Sequence, residues 1–190
     1  MEDKVVYYEN VSPENTEVTF NVAKEGMISL GIKKLVLAST TGATAIKAME
    51  FFKEAKLVVI PHQYCFKRAE NPFPQDLVKA LRDAGHEVHF GTMLFHTDNF
   101  YGSNTATVMA SLLRCFSQGV KVCFEIVLMA TDAGLLKTGE QVIAIAGTGK
   151  GSDTALVMQA ASTQNIRKLR VNQILCKPLN LLNIDELREQ

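Results

Sequence analysis

The stretch Gln141 to Ala161, QVIAIAGTGKGSDTALVMQAA, limits the fold more than any other part of the chain. Val142, Ile143, Ala144, Ile145 and Ala146 form a short apolar run, β-branched at three positions, as a strand covered on both faces should be. Gly147, Gly149 and Gly151 follow at alternate positions. Ser152 or Asp153 is then placed to cap a helix whose apolar positions Val157, Ala160 and Ala161 repeat at helical spacing. A strand that turns through glycines into a helix presents backbone N–H groups at the positive end of a dipole, which suits a phosphate. The alternative is a tight strand-to-helix turn with glycines for geometry alone. The loop is not a Walker A motif, because Gly147 stands only three positions before Lys150 and Gly151 follows that lysine. Nor does G-x-G-x-G match the dinucleotide fingerprint.

Around this stretch the chain alternates short apolar runs with helical patterns. Lys4 to Tyr8 reads as an edge strand. A helix begins at Asn15 or Thr16, either of which can cap it, and runs to Leu30 before Gly31. Lys34 to Ala38 is the first core strand, and Ser39-Thr40-Thr41-Gly42 turns it into a helix from Ala43 to Phe52. Leu57 to Ile60 is the second strand, Pro74 opens a helix stopped by Gly85, and Glu87 to Phe90 is the third strand. Two helices follow: one capped by Asn104, with Val108, Leu112, Cys115 and Phe116 on its stripe, and one from Val120 to Leu135. Lys168 to Cys176 is the last strand, and Asn183 begins a short charged helix.

This alternation argues a mostly parallel sheet with helices on both faces, in a single domain over residues 1–190. Right-handed crossovers gather the strand-to-helix turns at the carboxyl edge, and ligands sit where the strand order reverses. If the first and fourth strands are neighbours, Ser39 to Gly42 and Gly147 to Asp153 face each other across that crevice. Asn15, Thr16 and the start of the Val120 helix, with Glu125, come towards the same edge.

Composition removes other classes. Lys+Arg and Asp+Glu number 20 each, so there is no basic excess for nucleic acid and no polybasic tract for lipid. The start MEDKVVYYEN is not a secretory signal, and no run approaches 18 apolar residues, so a cytoplasmic chain without membrane contact is expected. Cys65, Cys115, Cys123 and Cys176 form no C-x-x-C pair and read as free thiols, Cys115 and Cys123 buried. His86 and His89 flank a strand and point apart, and no metal site is expected.

Four segments carry a resemblance: PENT at Pro13 to Thr16, VLASTTGATA at Val36 to Ala45, VCFEIVLMATDAGL at Val122 to Leu135 and IAIAGTGKGSDTALV at Ile143 to Val157. With them the chain resembles, over nearly its whole length, the stand-alone proteins similar to the C-terminal α/β domain of pyruvate kinase. The resemblance implies a three-layer α/β/α sandwich with core strand order 3-2-1-4-5, the last strand on an edge and open to an antiparallel orientation. In full-length pyruvate kinases the corresponding domain holds a sugar bisphosphate effector on a Ser/Thr-rich turn and a later glycine-containing loop. The matching positions are Ser39, Thr40, Thr41, Gly42 and Thr44, and Gly147, Thr148, Gly149, Lys150, Gly151, Asp153 and Thr154. Asn15, Thr16 and His62 complete the expected binding set. The stand-alone relatives look like flavin mononucleotide (FMN) binders, which makes FMN the first-choice ligand. Pyruvate kinase catalysis belongs to a barrel domain that these 190 residues do not contain, so that activity is not expected. Two alternatives stand beside binding. One is a small flavin- or phosphosugar-dependent enzyme with acid–base groups among His62, His96, Glu125 and Asp153. The other is an effector-sensing or oligomerisation subunit, with a homo-oligomer as one of its forms.

Overall fold

The computed structural model describes residues 4–102 and 104–180. In chain order the elements are β1 (Val6–Tyr8), α1 (Asn15–Leu30), β2 (Lys34–Ala38), α2 (Ala43–Phe51), β3 (Lys56–Ile60), α3 (Gln75–Asp83) and β4 (Glu87–Val88). Then come α4 (Asp98–Tyr101), α5 (Thr105–Arg114), α6 (Gln118–Asp132), β5 (Gln141–Ala146), β6 (Thr154–Gln159), a 3₁₀ turn (Thr163–Lys168) and β7 (Arg170–Pro178). The expected terminal helix at Asn183 lies outside the described residues.

The strands form one sheet of order β1-β7-β6-β5-β2-β3-β4. Pairs β2/β3, β2/β5, β3/β4 and β1/β7 are parallel, whereas β6 runs antiparallel to both β5 and β7. Successive side chains alternate between two cores. Leu35, Leu37, Leu57, Val59, Ile143 and Ile145 meet α1, α2 and α3 on one face. Val36, Val58, Val142, Ala144, Leu156 and Met158 meet α6 on the other. The three-layer α/β/α architecture is therefore as expected, and the order β4-β3-β2-β5 reproduces the first four expected core strands.

Beyond β5 the structure departs from expectation. The segment after the glycines is strand β6, not a helix. Thr154 to Met158 is buried at every position, so its apolar run fits helical and extended periods equally. A slot between β5 and β7, pairing Ala146 with Thr154 and Gln141 with Gln159, settles it as a strand. β6 thus separates the expected fourth and fifth strands. The last strand, antiparallel to β6, lies one place inside the edge, which β1 occupies.

Two smaller expectations also fail. The stripe of α5 faces outward: Val108 and Leu112 are each about two-thirds exposed, and Phe116 is half exposed. Cys115 is exposed with it, and the buried thiols are Cys123 and Cys176. The reason is that α6 is buried nearly all round against the sheet, and α5 packs mainly on α6.

Candidate functional site at the carboxyl edge of the sheet

β2 lies between β3 and β5, and the chain leaves it in opposite directions on its two sides, so the strand order reverses here. Leu37 pairs with Ile145. Two residues on, Ser39 starts one corner and Gly147 starts the other, about one strand spacing, ~4.8 Å, apart. The two corners singled out from sequence are therefore neighbours.

The first corner is a true strand-to-helix turn. The Ser39 hydroxyl accepts the Ala45 N–H at 3.2 Å, and the Gly42 carbonyl accepts the Ile46 N–H at 2.9 Å. Gly42 has φ +88°, and a Cβ there would strike Leu77, so glycine is required twice over. The Ala43 and Thr44 amides belong to the first turn of α2, where no intrahelical carbonyl can reach them. The Thr41 side chain is exposed, and those of Thr40 and Thr44 are half-buried.

The second corner is the hairpin between β5 and β6, folded onto its own side chains. Asp153 accepts the Thr148 N–H at 2.9 Å with one carboxylate oxygen and the Thr154 hydroxyl at 2.7 Å with the other. Neither Asp153 nor Ser152 caps a helix, because none begins there. The Ser152 N–H donates to the Thr16 hydroxyl at 2.9 Å, and the Thr19 hydroxyl donates to the Ser152 carbonyl. Gly151, at φ +78°, leaves the room that Thr16 and Pro13 need. Gly149 and Lys150 form the exposed tip of the hairpin.

Thr16 and Asn15 reach this edge without capping α1. The Thr16 hydroxyl donates to the Pro13 carbonyl, and the Asn15 amide donates to the Asn10 carbonyl. On the opposite face Ser117 caps α6, accepting the Val120 N–H at 2.9 Å, and its hydroxyl lies 3.3 Å from that of Thr154.

Burial pushes the Asp153 carboxyl up from its ordinary value of 3.8, against the hydrogen bonds from Thr154 and Thr148, which pull it down. A carboxyl that is a weaker acid in the folded state carries a penalty for its charge that is absent below pH 3.8 and grows as pH rises through the folded value. Asp153→Asn keeps an acceptor for Thr148 and removes the charge. It should melt higher than wild type at pH 7.5, the two converging near pH 3.5. Equal melting temperatures at both pH values would rule out a buried charge at this position.

Beside the first corner a polar cluster has formed. His62 leaves β3 as Thr40 leaves β2, and the His62 Nε2 lies 3.3 Å from the Thr40 hydroxyl. From α6, Lys121 and Glu125 form a buried ion pair at 2.5 Å, one helical turn apart. Glu125 also accepts the Phe95 N–H at 2.9 Å, which ties the loop after β4 to α6. His96 Nδ1 lies 3.4 Å from Glu125 and from Lys121, and the Phe66 ring stands edge-on to both histidines. Burial raises the Glu125 carboxyl, but the hydrogen bond from His96 and the charge of Lys121 outweigh it and bring it down to about 2. Burial lowers Lys121, and Glu125 opposes that. His62 is lowered by burial and by His96, and so is neutral at pH 7.

Sequence reasoning singled out His62, His96 and Glu125 but missed Lys121. The signal was present: Lys121 and Glu125 are four apart in an otherwise apolar helix, a spacing that puts both on one face. A groove of about 250 Å³ lies at the opposite, amino edge of the sheet, between Leu30–Lys34, Lys56 and Glu140. Its Lys34 and Lys56 are paired with Glu140 and Glu87.

Comparison with solved structures finds a pyruvate kinase from Cryptosporidium parvum at 14% identity and TM-score 0.43, covering 81% of this chain and 24% of that one. A second match, Cryptosporidium parvum pyruvate kinase in complex with ADP, has the same identity and TM-score and covers 81% of this chain and 25% of that one. The chain spans about a quarter of the length of these enzymes. The model of the family described as pyruvate kinase, alpha/beta domain, matches residues 17–158, a span that takes in both corners and the Lys121–Glu125 pair. With more than half of its length matched, this chain belongs to the pyruvate kinase alpha/beta domain family.

Proposed function

We propose that this domain binds a phosphorylated small molecule, FMN before others, in the crevice between the Ser39–Thr44 corner and the Gly147–Thr154 hairpin. The observation that carries this reading is the adjacency of the two corners at the point where strand order reverses. The α2 corner supplies the anion site: amides of Ala43 and Thr44 at the positive end of the helix, with the hydroxyls of Thr40, Thr41 and Thr44 around them. Lys150 at the exposed hairpin tip adds a positive charge. Asn15, Thr16, Gly151, Asp153 and Thr154 shape the crevice through their mutual bonds rather than by direct contact with phosphate. Whole-enzyme pyruvate kinase activity is not part of this proposal, given the quarter-length match.

The reading is tested by titrating the purified protein with FMN and with riboflavin, following flavin fluorescence. FMN should bind and riboflavin should bind far more weakly. Thr44→Val should weaken FMN by roughly tenfold to a hundredfold, the worth of one hydrogen bond to a charged group. Equal binding of the two flavins, or none by either, would remove FMN as the ligand.

A further inference from the structure

The phosphate crevice has an uneven supply of positive charge. Lys150 sits on an exposed hairpin tip. Lys121 is fully buried and committed to Glu125. A phosphomonoester carries close to two negative charges at neutral pH. Helix-terminal amides and hydroxyls can orient such a group but leave most of its charge unmatched. The titratable side chain joined directly to the α2 corner is His62.

The placement follows from register. Ala38 pairs with Ile60, so Thr40 and His62 occupy matched positions two residues past their strands. The Nε2–Oγ1 hydrogen bond between them, at 3.3 Å, joins the β2 and β3 ends beside the Ser39 N–H bond to the Ile60 carbonyl. We propose that His62 is the phosphate's charged partner, taking up a proton as a phosphomonoester dianion binds at Thr40 and the start of α2. The inference rests on the crevice being the ligand site and deepens that reading: it selects a terminal phosphomonoester over a diester or an uncharged analogue.

The hydrogen-bond chemistry couples the two events. In the neutral His62 tautomer that carries its proton on Nδ1, the Thr40 hydroxyl donates to Nε2 and its proton is occupied. Once Nε2 is protonated it donates to the Thr40 oxygen instead. The Thr40 proton is then free to donate to a phosphate oxygen. One proton taken from solvent thus supplies a positive charge and turns a hydroxyl towards the ligand. The surroundings hold the empty state neutral: His62 is half-buried, and His96, Lys121 and Lys67 disfavour a second cation while Glu125 favours it. Glu125 and Lys121 act on His62 in opposite senses, and a bound ligand's own negative charge adds to the side that favours the cation.

The experiment is calorimetric titration of FMN at pH 7.5 in two buffers of different ionisation enthalpy, on wild type and His62→Gln. In parallel, histidine ring resonances are followed from pH 5 to 8 with and without inorganic phosphate, His62→Gln identifying the His62 signal. Wild type should take up about one proton per FMN, and affinity should fall as pH rises above 7. His62→Gln should take up none and bind FMN at least about fivefold more weakly. The His62 midpoint should move up in phosphate. FMN binding without proton uptake, unchanged by His62→Gln, would overturn this inference and leave the ligand assignment intact. A phosphate-dependent His62 shift without FMN binding would support the inference and overturn FMN. No response to either ligand would overturn both.

Discussion

Glu125→Leu should destabilise the domain by about 3–5 kcal/mol, the usual cost of leaving one partner of a buried ion pair uncompensated. Lys121 has no measurable solvent exposure and Glu125 has 2%, so neither charge can be rescued by water. The substitution also orphans the Phe95 N–H and takes from the His96 ring the carboxylate oxygen the two share. At roughly 2–4 °C per kcal/mol for a chain of this size, the melting temperature should fall by about 6–20 °C. The double substitution Lys121→Met/Glu125→Leu removes both charges in similar volume and should recover most of that loss. The pH dependence has a fixed sign. A carboxyl lowered from 4.5 to about 2 contributes stability that is fully present above pH 4.5 and is lost as pH falls towards 2. The wild-type advantage should therefore narrow over that interval. Chemical denaturation of the three proteins at pH 7 and pH 3 checks it. A single variant as stable as wild type would show the pair to be energetically idle.

Gly119→Ala should cost about 3 kcal/mol, against the sign that helix propensity alone would give. In the first turn of a helix, alanine is normally favoured over glycine by up to about 1 kcal/mol. Here a Cβ would run into the Thr154 hydroxyl, with the Thr154 Cβ at 2.6 Å and the Asp153 carboxylate at 2.8 Å. These atoms belong to the start of β6, are buried, and hold each other through short hydrogen bonds, so they have little freedom to yield. The helix must move instead. That separates Ser117 from Thr154 and disturbs the cap on Val120, adding about 1 kcal/mol to an overpacking cost of roughly 1–3 kcal/mol. Gly31→Ala is the control: its φ is +66° but nothing lies within 4 Å of the new methyl. Urea unfolding should rank Gly119→Ala well below Gly31→Ala. The reverse ranking would mean that α6 does not approach β6 this closely.

The two substitutions probe one construction principle. α6 lies flat on the β2, β3, β5 and β6 face, and its amino end meets the hairpin through a glycine. Its inward carboxylate fastens the loop after β4 across the same edge. The buried side chains beside the two corners are therefore parts of the core. Changes to them are expected to register first as lost stability.

The sequence by itself determined the elements whose signals are local. The apolar runs at Lys34–Ala38, Leu57–Ile60 and Val142–Ala146 read as buried strands, and each lies in one. Ser39 to Gly42 carried its own turn chemistry, since a hydroxyl and a left-handed glycine suffice to start a helix. Those features also named the candidate corners, while the neighbouring placement of β2 and β5 was implied only by the family resemblance and is what the sheet shows. Other features depended on partners distant in the chain. Thr154 to Met158 is apolar on every side, and only the slot between β5 and β7 made it a strand. That pairing turned Asp153 from an expected helix cap into the clasp of a hairpin. The outward face of α5 was likewise decided by packing, because α6 lies against the sheet and α5 packs mainly on α6. Lys121 and Glu125 showed their spacing in the sequence. Their burial, the meeting of both with His96, and the placing of His62 beside them through Phe66 required three separate segments to converge on one edge. Hydrogen-bonding capacity and periodicity are written residue by residue, whereas burial and electrostatic coupling exist only between segments that packing has brought together.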